Sequence, residues 1–204
     1  MMNRRRRRWS IPVVCAPLLA SSIALAADAA DSAGQPGSWQ PHSYDFHFMG
    51  FTSTYSCDGL ADKLQLLLRV VGARPDATVM PLCARGSGVP DKLAQASVKF
   101  STLQLADTNA PGAAASASQS APGVWRHVEL APRHPFELQT GDCELVEQFR
   151  DTLLPMFVTR NVDNQVTCVP HQDSGSNFSL SFDVFAPPPP TKGAPAKAAA
   201  AKGA

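Results

Sequence analysis

The sequence predicts an α+β fold, a two-layer sandwich built from a duplicated β-α-β-β unit. We expect a mainly antiparallel sheet, two helices on one face of it and two disulfides. The first observation behind this prediction is the spacing of four cysteines, because Cys57 precedes Cys83 by 26 residues and Cys143 precedes Cys168 by 25. The second is a helical pattern that follows the first cysteine of each pair, and the third is alternation of apolar and polar residues in the flanking segments.

Each helix is predicted from apolar residues at helical spacing after its cysteine. When Cys57 is aligned on Cys143, apolar residues coincide three, ten, eleven and fourteen positions later, which gives one stripe of an amphipathic helix. Ser56 and Asp142 precede the cysteines and are typical N-cap residues. Pro155 is expected to end or kink the second helix near Leu154.

Six strands are predicted around these helices. In chain order they are Tyr44 to Phe51, Ala77 to Cys83, Ser97 to Leu105, Trp125 to Leu130, Val162 to Cys168 and Phe178 to Phe185. Alternation within them separates a buried apolar face from an open polar face. Pro81 indicates that the second strand lies at an edge or ends early.

The cysteine spacing favours disulfides within each copy, Cys57–Cys83 and Cys143–Cys168. A helix of about 15 residues and a returning strand of about seven residues both cover roughly 22 Å, so the strand would end beside the first turn of the helix. The alternative pairing, Cys57–Cys143 with Cys83–Cys168, also respects the duplication. Spacing alone leaves the connectivity open.

The chain divides into six predicted segments. Residues 1–26 form a signal peptide, with five arginines, an apolar stretch too short to span a membrane and the cleavage pattern Ala24-Leu25-Ala26. The remaining segments are a flexible lead (27–40), the first repeat (41–106), an Ala/Ser/Pro-rich linker (107–123), the second repeat (124–186) and a disordered Pro/Ala/Lys tail (187–204). Export and disulfides together indicate a periplasmic or secreted protein of a Gram-negative bacterium.

Charge argues against a nucleic-acid partner. Without the five signal arginines the chain has 13 Lys and Arg against 17 Asp and Glu, a net charge of −4. A phosphate-binding surface needs clustered positive charge, which the body of the chain lacks.

Catalytic, metal and cofactor motifs are not found in the sequence. There is no C-x-x-C, no G-x-S-x-G and no phosphate-binding glycine loop. Cys168 and His171 have a ligand-like spacing, but no second pair of this type accompanies them. We therefore expect no cofactor and no metal, and the missing catalytic motifs argue against an enzyme.

The open face of the sheet is the predicted binding surface, for an unknown envelope protein or a small ligand. Its candidate residues are His47, Trp125, His127, Glu129, Ser181 and Asp183. The sequence thus favours an exported, disulfide-stabilised, non-catalytic envelope or secreted protein. The alternative is a small secreted hydrolase whose site contains His127 or His171.

Overall fold

The computed structural model describes residues 34–83, 89–106, 119–172 and 175–189. The predicted signal peptide, most of the predicted linker and most of the predicted tail lie outside these residues. The described part is mostly antiparallel sheet, with six strands and two α-helices. Among these residues no helix is long and apolar enough to cross a membrane.

The strands and helices follow one another in the order β-α-β-β and then again β-α-β-β. Their bounds are β1 Gln35–His47, α1 Cys57–Val71, β2 Thr78–Pro81, β3 Gln95–Leu105, β4 Ser120–Leu130, α2 Cys143–Thr152, β5 Thr159–Thr167 and β6 Asn177–Ala186. Short 3₁₀ helices at Thr140–Asp142 and Leu154–Met156 flank α2. The duplication itself stays a prediction.

All six strands belong to one antiparallel sheet, in the order β2-β3-β1-β4-β6-β5. The two strands that meet in the middle, β1 and β4, pair only over Gln35–Ser38 and Ser120–Gly123. Beyond this short joint β1 pairs with β3, and β4 pairs with β6. The sheet therefore consists of two three-stranded halves that are joined over four residue pairs.

One apolar core lies between the helices and one face of the sheet. Side chains from α1, α2 and the alternate positions of β1, β3, β4 and β6 form a single buried cluster. Its largest fully buried members are Phe46, Phe48, Phe149, Phe178 and Phe182. This arrangement confirms the predicted alternation, because Asp45, His47 and Met49 face away from the core.

The two disulfides join the cysteines within each half. The Cα atoms of Cys57 and Cys83 are 6.2 Å apart, and those of Cys143 and Cys168 are 5.7 Å apart. Both distances lie in the range usual for a disulfide. The pairing between halves, which the sequence left open, is not the one found.

Two predicted boundaries change in the structure. Gln35–Gln40, assigned to the flexible lead, are the first six residues of β1, and Ser120–Gly123, assigned to the linker, begin β4. These segments contain Pro36 and Pro122, which sit opposite each other at the joint. Proline and glycine are depleted in strands, so local propensity hid both strand starts.

The helix ends follow their local sequence only in part. Ser56 caps α1 as predicted, since its hydroxyl accepts from the Gly59 N–H at 3.0 Å. Asp142 does not cap α2 with its side chain. Its carboxylate instead accepts from the Tyr55 hydroxyl at 2.5 Å and from Lys63 Nζ at 2.7 Å. Asp142 therefore occupies the predicted N-cap position of α2 without a side-chain capping hydrogen bond.

Candidate functional site

Five of the six residues predicted to form the open binding face lie on two adjacent strands. In the β4–β6 pair, Trp125 stands opposite Phe185, His127 opposite Asp183, and Glu129 opposite Ser181. Paired residues share a face of a sheet. The intervening residues Val128 and Leu130 are buried in the core, so the side chains of these pairs point to the other face.

His47, the sixth predicted residue, lies elsewhere on the same face. It pairs with Gln95 of β3, at the opposite end of β1 from the joint with β4. The same end of the sheet carries four exposed apolar side chains, Met49, Met80, Leu82 and Leu93. His47 therefore belongs to a separate surface from the other five residues.

Trp125 is held between two neighbours. The Arg160 guanidinium lies over its ring, 4.2 Å from the centroid, and the Phe185 ring is 5.6 Å away at a tilt of 55°. Phe185 is almost completely buried although it points to the open face. The ring fits there because Gly37 and Gly123 lie beneath it, and a Cβ at Gly123 would be 2.3 Å from Phe185 Cζ.

Three hydrogen-bond donors lie close to the Asp183 carboxylate, beside Trp125. Its carboxylate accepts from Asn161 Nδ2 at 2.8 Å, lies 3.2 Å from His127 Nδ1, and lies 3.4 Å from Arg160 Nε. These contacts, with Asn161 first and then His127 and Arg160, hold the pKa of Asp183 below its usual value. The carboxylate is thus kept ionised and oriented.

A bulge in β5 positions two of these donors, Arg160 and Asn161. Pairing between β5 and β6 shifts register between Arg160 and Asp163, and Asn161 has a left-handed φ of 53°. Asparagine tolerates this conformation better than most residues. We call Trp125, His127, Arg160, Asn161 and Asp183 the Trp125 cluster. Arg160 and Asn161 are not among the residues predicted from the sequence, and only the placement of a bulge next to the open face could have indicated them.

The described contacts give no hydrolytic triad. His127 has a carboxylate partner, but no serine or threonine hydroxyl hydrogen-bonds to it in the part of the chain that the structure describes. His171 makes an edge contact with Phe51 at 6.2 Å between ring centroids. The histidine that does meet a hydroxyl is His42, whose Nε2 lies 2.8 Å from Thr102 Oγ1.

The contact between His42 and Thr102 has the geometry of a structural hydrogen bond. Thr102 is fully buried, and its hydroxyl donates to the Met156 carbonyl at 3.0 Å. A hydroxyl that gives its proton to a carbonyl is not being deprotonated by the imidazole. Burial also lowers the pKa of His42 from the ordinary 6.5.

The described residues contain no candidate metal-binding cluster. No group of three or more His, Cys, Asp or Glu side chains converges there. Cys168, whose spacing to His171 resembles that of a ligand pair, is bonded to Cys143. The Trp125 cluster combines an aromatic ring, a cation and a carboxylate held by three donors.

Comparison with known proteins adds no relative. No protein-family model matches the sequence, and neither curated proteins nor solved structures show a significant similarity to it.

Proposed function

We propose that this is an exported, non-catalytic protein that binds a protein partner through the open face of its sheet, with the Trp125 cluster at the centre of the contact. The single observation that carries the proposal is the pre-ordered arrangement of Arg160 on Trp125 beside the Asp183 carboxylate. Tryptophan and arginine are enriched among the residues that dominate protein–protein binding energy.

Pre-ordering supports binding rather than mere solvation. An exposed arginine that moves freely loses side-chain entropy when a partner immobilises it. Here stacking on Trp125 and the ion pair with Asp183 already restrict Arg160. The side chain of His127 is 66% exposed next to them and offers a donor or acceptor at the surface. A flat, mixed surface of this kind suits a protein more than a small molecule.

Export is the second part of the proposal. The predicted signal peptide and the two disulfides support a periplasmic or secreted location. Each disulfide ties the start of a helix to the end of the following strand region, so an oxidising compartment would add to the stability of both halves.

We also propose that the two halves descend from one duplicated unit. The same β-α-β-β order occurs twice, each time with a disulfide from the first residue of the helix. The strand order supports the idea, because each half places its first strand at the joint, its third strand next and its second strand at the edge.

Site-directed photo-crosslinking in the native cells tests the binding proposal. A photoreactive amino acid replaces His127 on the open face, and in a matched control it replaces Asp62, which is exposed on α1. We expect a discrete crosslinked protein product from position 127 that is lost when Trp125→Ala is added. Equal products from both positions, or a product at 127 that Trp125→Ala leaves unchanged, would refute the proposal.

A further inference from the structure

One edge of β4 has no neighbouring strand in the described structure. After Gly123 the pairing with β1 ends, yet β4 continues to Leu130 and pairs only with β6. This free edge lies inside the sheet order rather than at either end of it, because the two halves diverge at their short joint.

The hydrogen-bonding groups on that edge can be assigned from their neighbours. The Phe185 N–H donates to the Val158 carbonyl on the β5 side, so Phe185 does not exchange hydrogen bonds with Trp125. Residues of a strand point their backbone groups to alternate sides. The N–H and C=O groups of Trp125, His127 and Glu129 therefore point away from β6, along the free edge.

The joint gives the same assignment independently. The Trp39 N–H donates to the Gln119 carbonyl, so the odd-numbered residues of this strand direct their backbone groups toward the β1 side. No residue in the described ranges supplies a backbone partner for Trp125, His127 or Glu129 on that side. Within the described structure the strand thus presents a row of backbone donors and acceptors without backbone partners.

A groove of about 370 Å³ runs beside these residues. It is lined by Arg126, His127 and Glu129 of β4, by Val70 of α1, and by His134 and Pro135 after the end of β4. Arg126 and Val128 alternate with the open-face residues, so a strand added here would direct every second side chain toward Val70 and the groove.

Charge in the groove favours an acidic occupant. Arg126 donates through Nη2 to the Val70 carbonyl at 2.8 Å, and its Nε is buried without a hydrogen-bond partner. Two imidazoles, from His127 and His134, line the same groove against one carboxylate, that of Glu129. A carboxylate on the occupant would offset the partly buried guanidinium charge.

We propose that the free edge of β4 binds an extended segment of the partner protein, which adds as a strand beside Trp125, His127 and Glu129 and places acidic or apolar side chains in the groove. This inference rests on the proposed function and names the structural class of the partner segment. Backbone pairing would supply affinity, and the groove would select the alternate side chains.

Amide hydrogen exchange followed by NMR tests the proposal with a synthetic peptide. The probe is the acetylated and amidated heptapeptide TVEVEVT, and its control is the same peptide with alternate amides N-methylated. We expect the probe to slow exchange at His127 and Glu129 by about fivefold or more at saturation, because pairing protects their amides. The Val128 amide points to β6 and should not change.

Two variants separate the backbone from the side chain. His127→Ala removes one imidazole of the groove but keeps the edge N–H, so it sets the baseline for loss of the side chain. His127→Pro removes that N–H as well and should bind the probe about tenfold more weakly than His127→Ala. Circular dichroism and thermal melting establish that both variants are folded. Equal binding by the two variants would overturn the proposal.

Three other outcomes would also overturn it. The first is an unchanged exchange rate at saturating probe, and the second is equal protection by the N-methylated peptide. The third is slow exchange of these amides in the protein alone, since the edge would then be covered by the protein's own chain or by a second copy. If the crosslink from position 127 persists in any of these cases, strand addition fails while the proposed open-face contact stands.

Discussion

Glu144 provides the sharpest test of how the two halves are held together. Glu144 is 5% exposed, and its carboxylate accepts hydrogen bonds from three successive backbone amides, those of Phe51, Thr52 and Ser53, at 3.0 to 3.2 Å. These amides belong to the segment between β1 and α1, whereas Glu144 is in the first turn of α2. One side chain thus connects segments more than 90 residues apart.

Replacing Glu144 by glutamine keeps the shape and removes the charge. A hydrogen bond to a charged acceptor contributes about 1.5–3 kcal/mol net, and glutamine retains one of the two acceptor oxygens. Its amide group would also face backbone N–H donors. We therefore expect the free energy of unfolding to fall by about 2–4 kcal/mol in Glu144→Gln, with a larger loss of about 3–5 kcal/mol in Glu144→Ala.

Urea denaturation under oxidising conditions, followed by tryptophan fluorescence and circular dichroism, measures this loss. The matched control is Glu147→Gln, one turn later on α2, where the side chain is 40% exposed and lies 3.9 Å from Arg150. That change should stay within about 0.5 kcal/mol. If Glu144→Gln were as mild as the control, the amides of Phe51 to Ser53 would not depend on the carboxylate and the reasoning would be wrong.

Three further predictions follow from packing, disulfides and titration. Gly123→Ala should lower the free energy of unfolding by about 1–3 kcal/mol, because a Cβ there meets the buried Phe185 ring over the joint. Gly141→Ala should be nearly neutral in the same urea assay, since the atom nearest to a Cβ at that position would be 3.8 Å away. Cys57→Ser and Cys143→Ser should each cost about 3 kcal/mol, and a melting temperature unaffected by reductant would contradict this. Burial lowers the pKa of His42, so below about pH 6.5 the unfolded chain binds a proton at this histidine more readily than the folded chain does. The free energy of unfolding should therefore decrease as the pH is lowered from about 7 to about 5. His42→Gln should flatten that decline in urea midpoints measured at pH 7 and pH 5.

Much of the fold follows from periodicity that one sequence displays. The alternation of Phe178, Leu180 and Phe182 with serines defines both the strand and its buried face, and the structure confirms it. Pro155 ends the second helix as predicted, since α2 stops at Thr152 and a 3₁₀ turn follows. Such features depend on residues close together in sequence, where local propensity and burial agree.

The joint between the halves could not be predicted in the same way. Gln35–Ser38 contains proline and glycine, and it pairs with a segment of similar composition about 85 residues later, so neither segment resembles a strand by itself. The ring of Phe185 packs on this joint, in the space that Gly37 and Gly123 leave. A glycine that admits a distant aromatic ring gives no local signal.

The candidate site also contains residues that local sequence predicts and residues that it does not predict. Trp125, His127 and Asp183 were predicted because strand alternation assigns a face, and the structure brings them together. Alternation does not assign distance along the sheet, so it grouped His47 with them although β1 carries it away from β4. Arg160 and Asn161 were missed because a bulge breaks the two-residue period that the prediction relies on.

The short joint explains why the two halves present different edges. On the β1 side the diverging strand meets α2, and the Gln148 side chain bonds both the N–H and the C=O of Met49, at 2.9 and 2.8 Å. An amide side chain there takes the place of a neighbouring strand. On the β4 side the described residues supply no equivalent group beside His127. The same divergence that is satisfied internally at Met49 therefore leaves hydrogen-bonding capacity at His127, and an edge of this kind is either protected or used. Its position next to the Trp125 cluster argues for use, because one partner segment could pair with the strand while the rest of the partner contacts the open face.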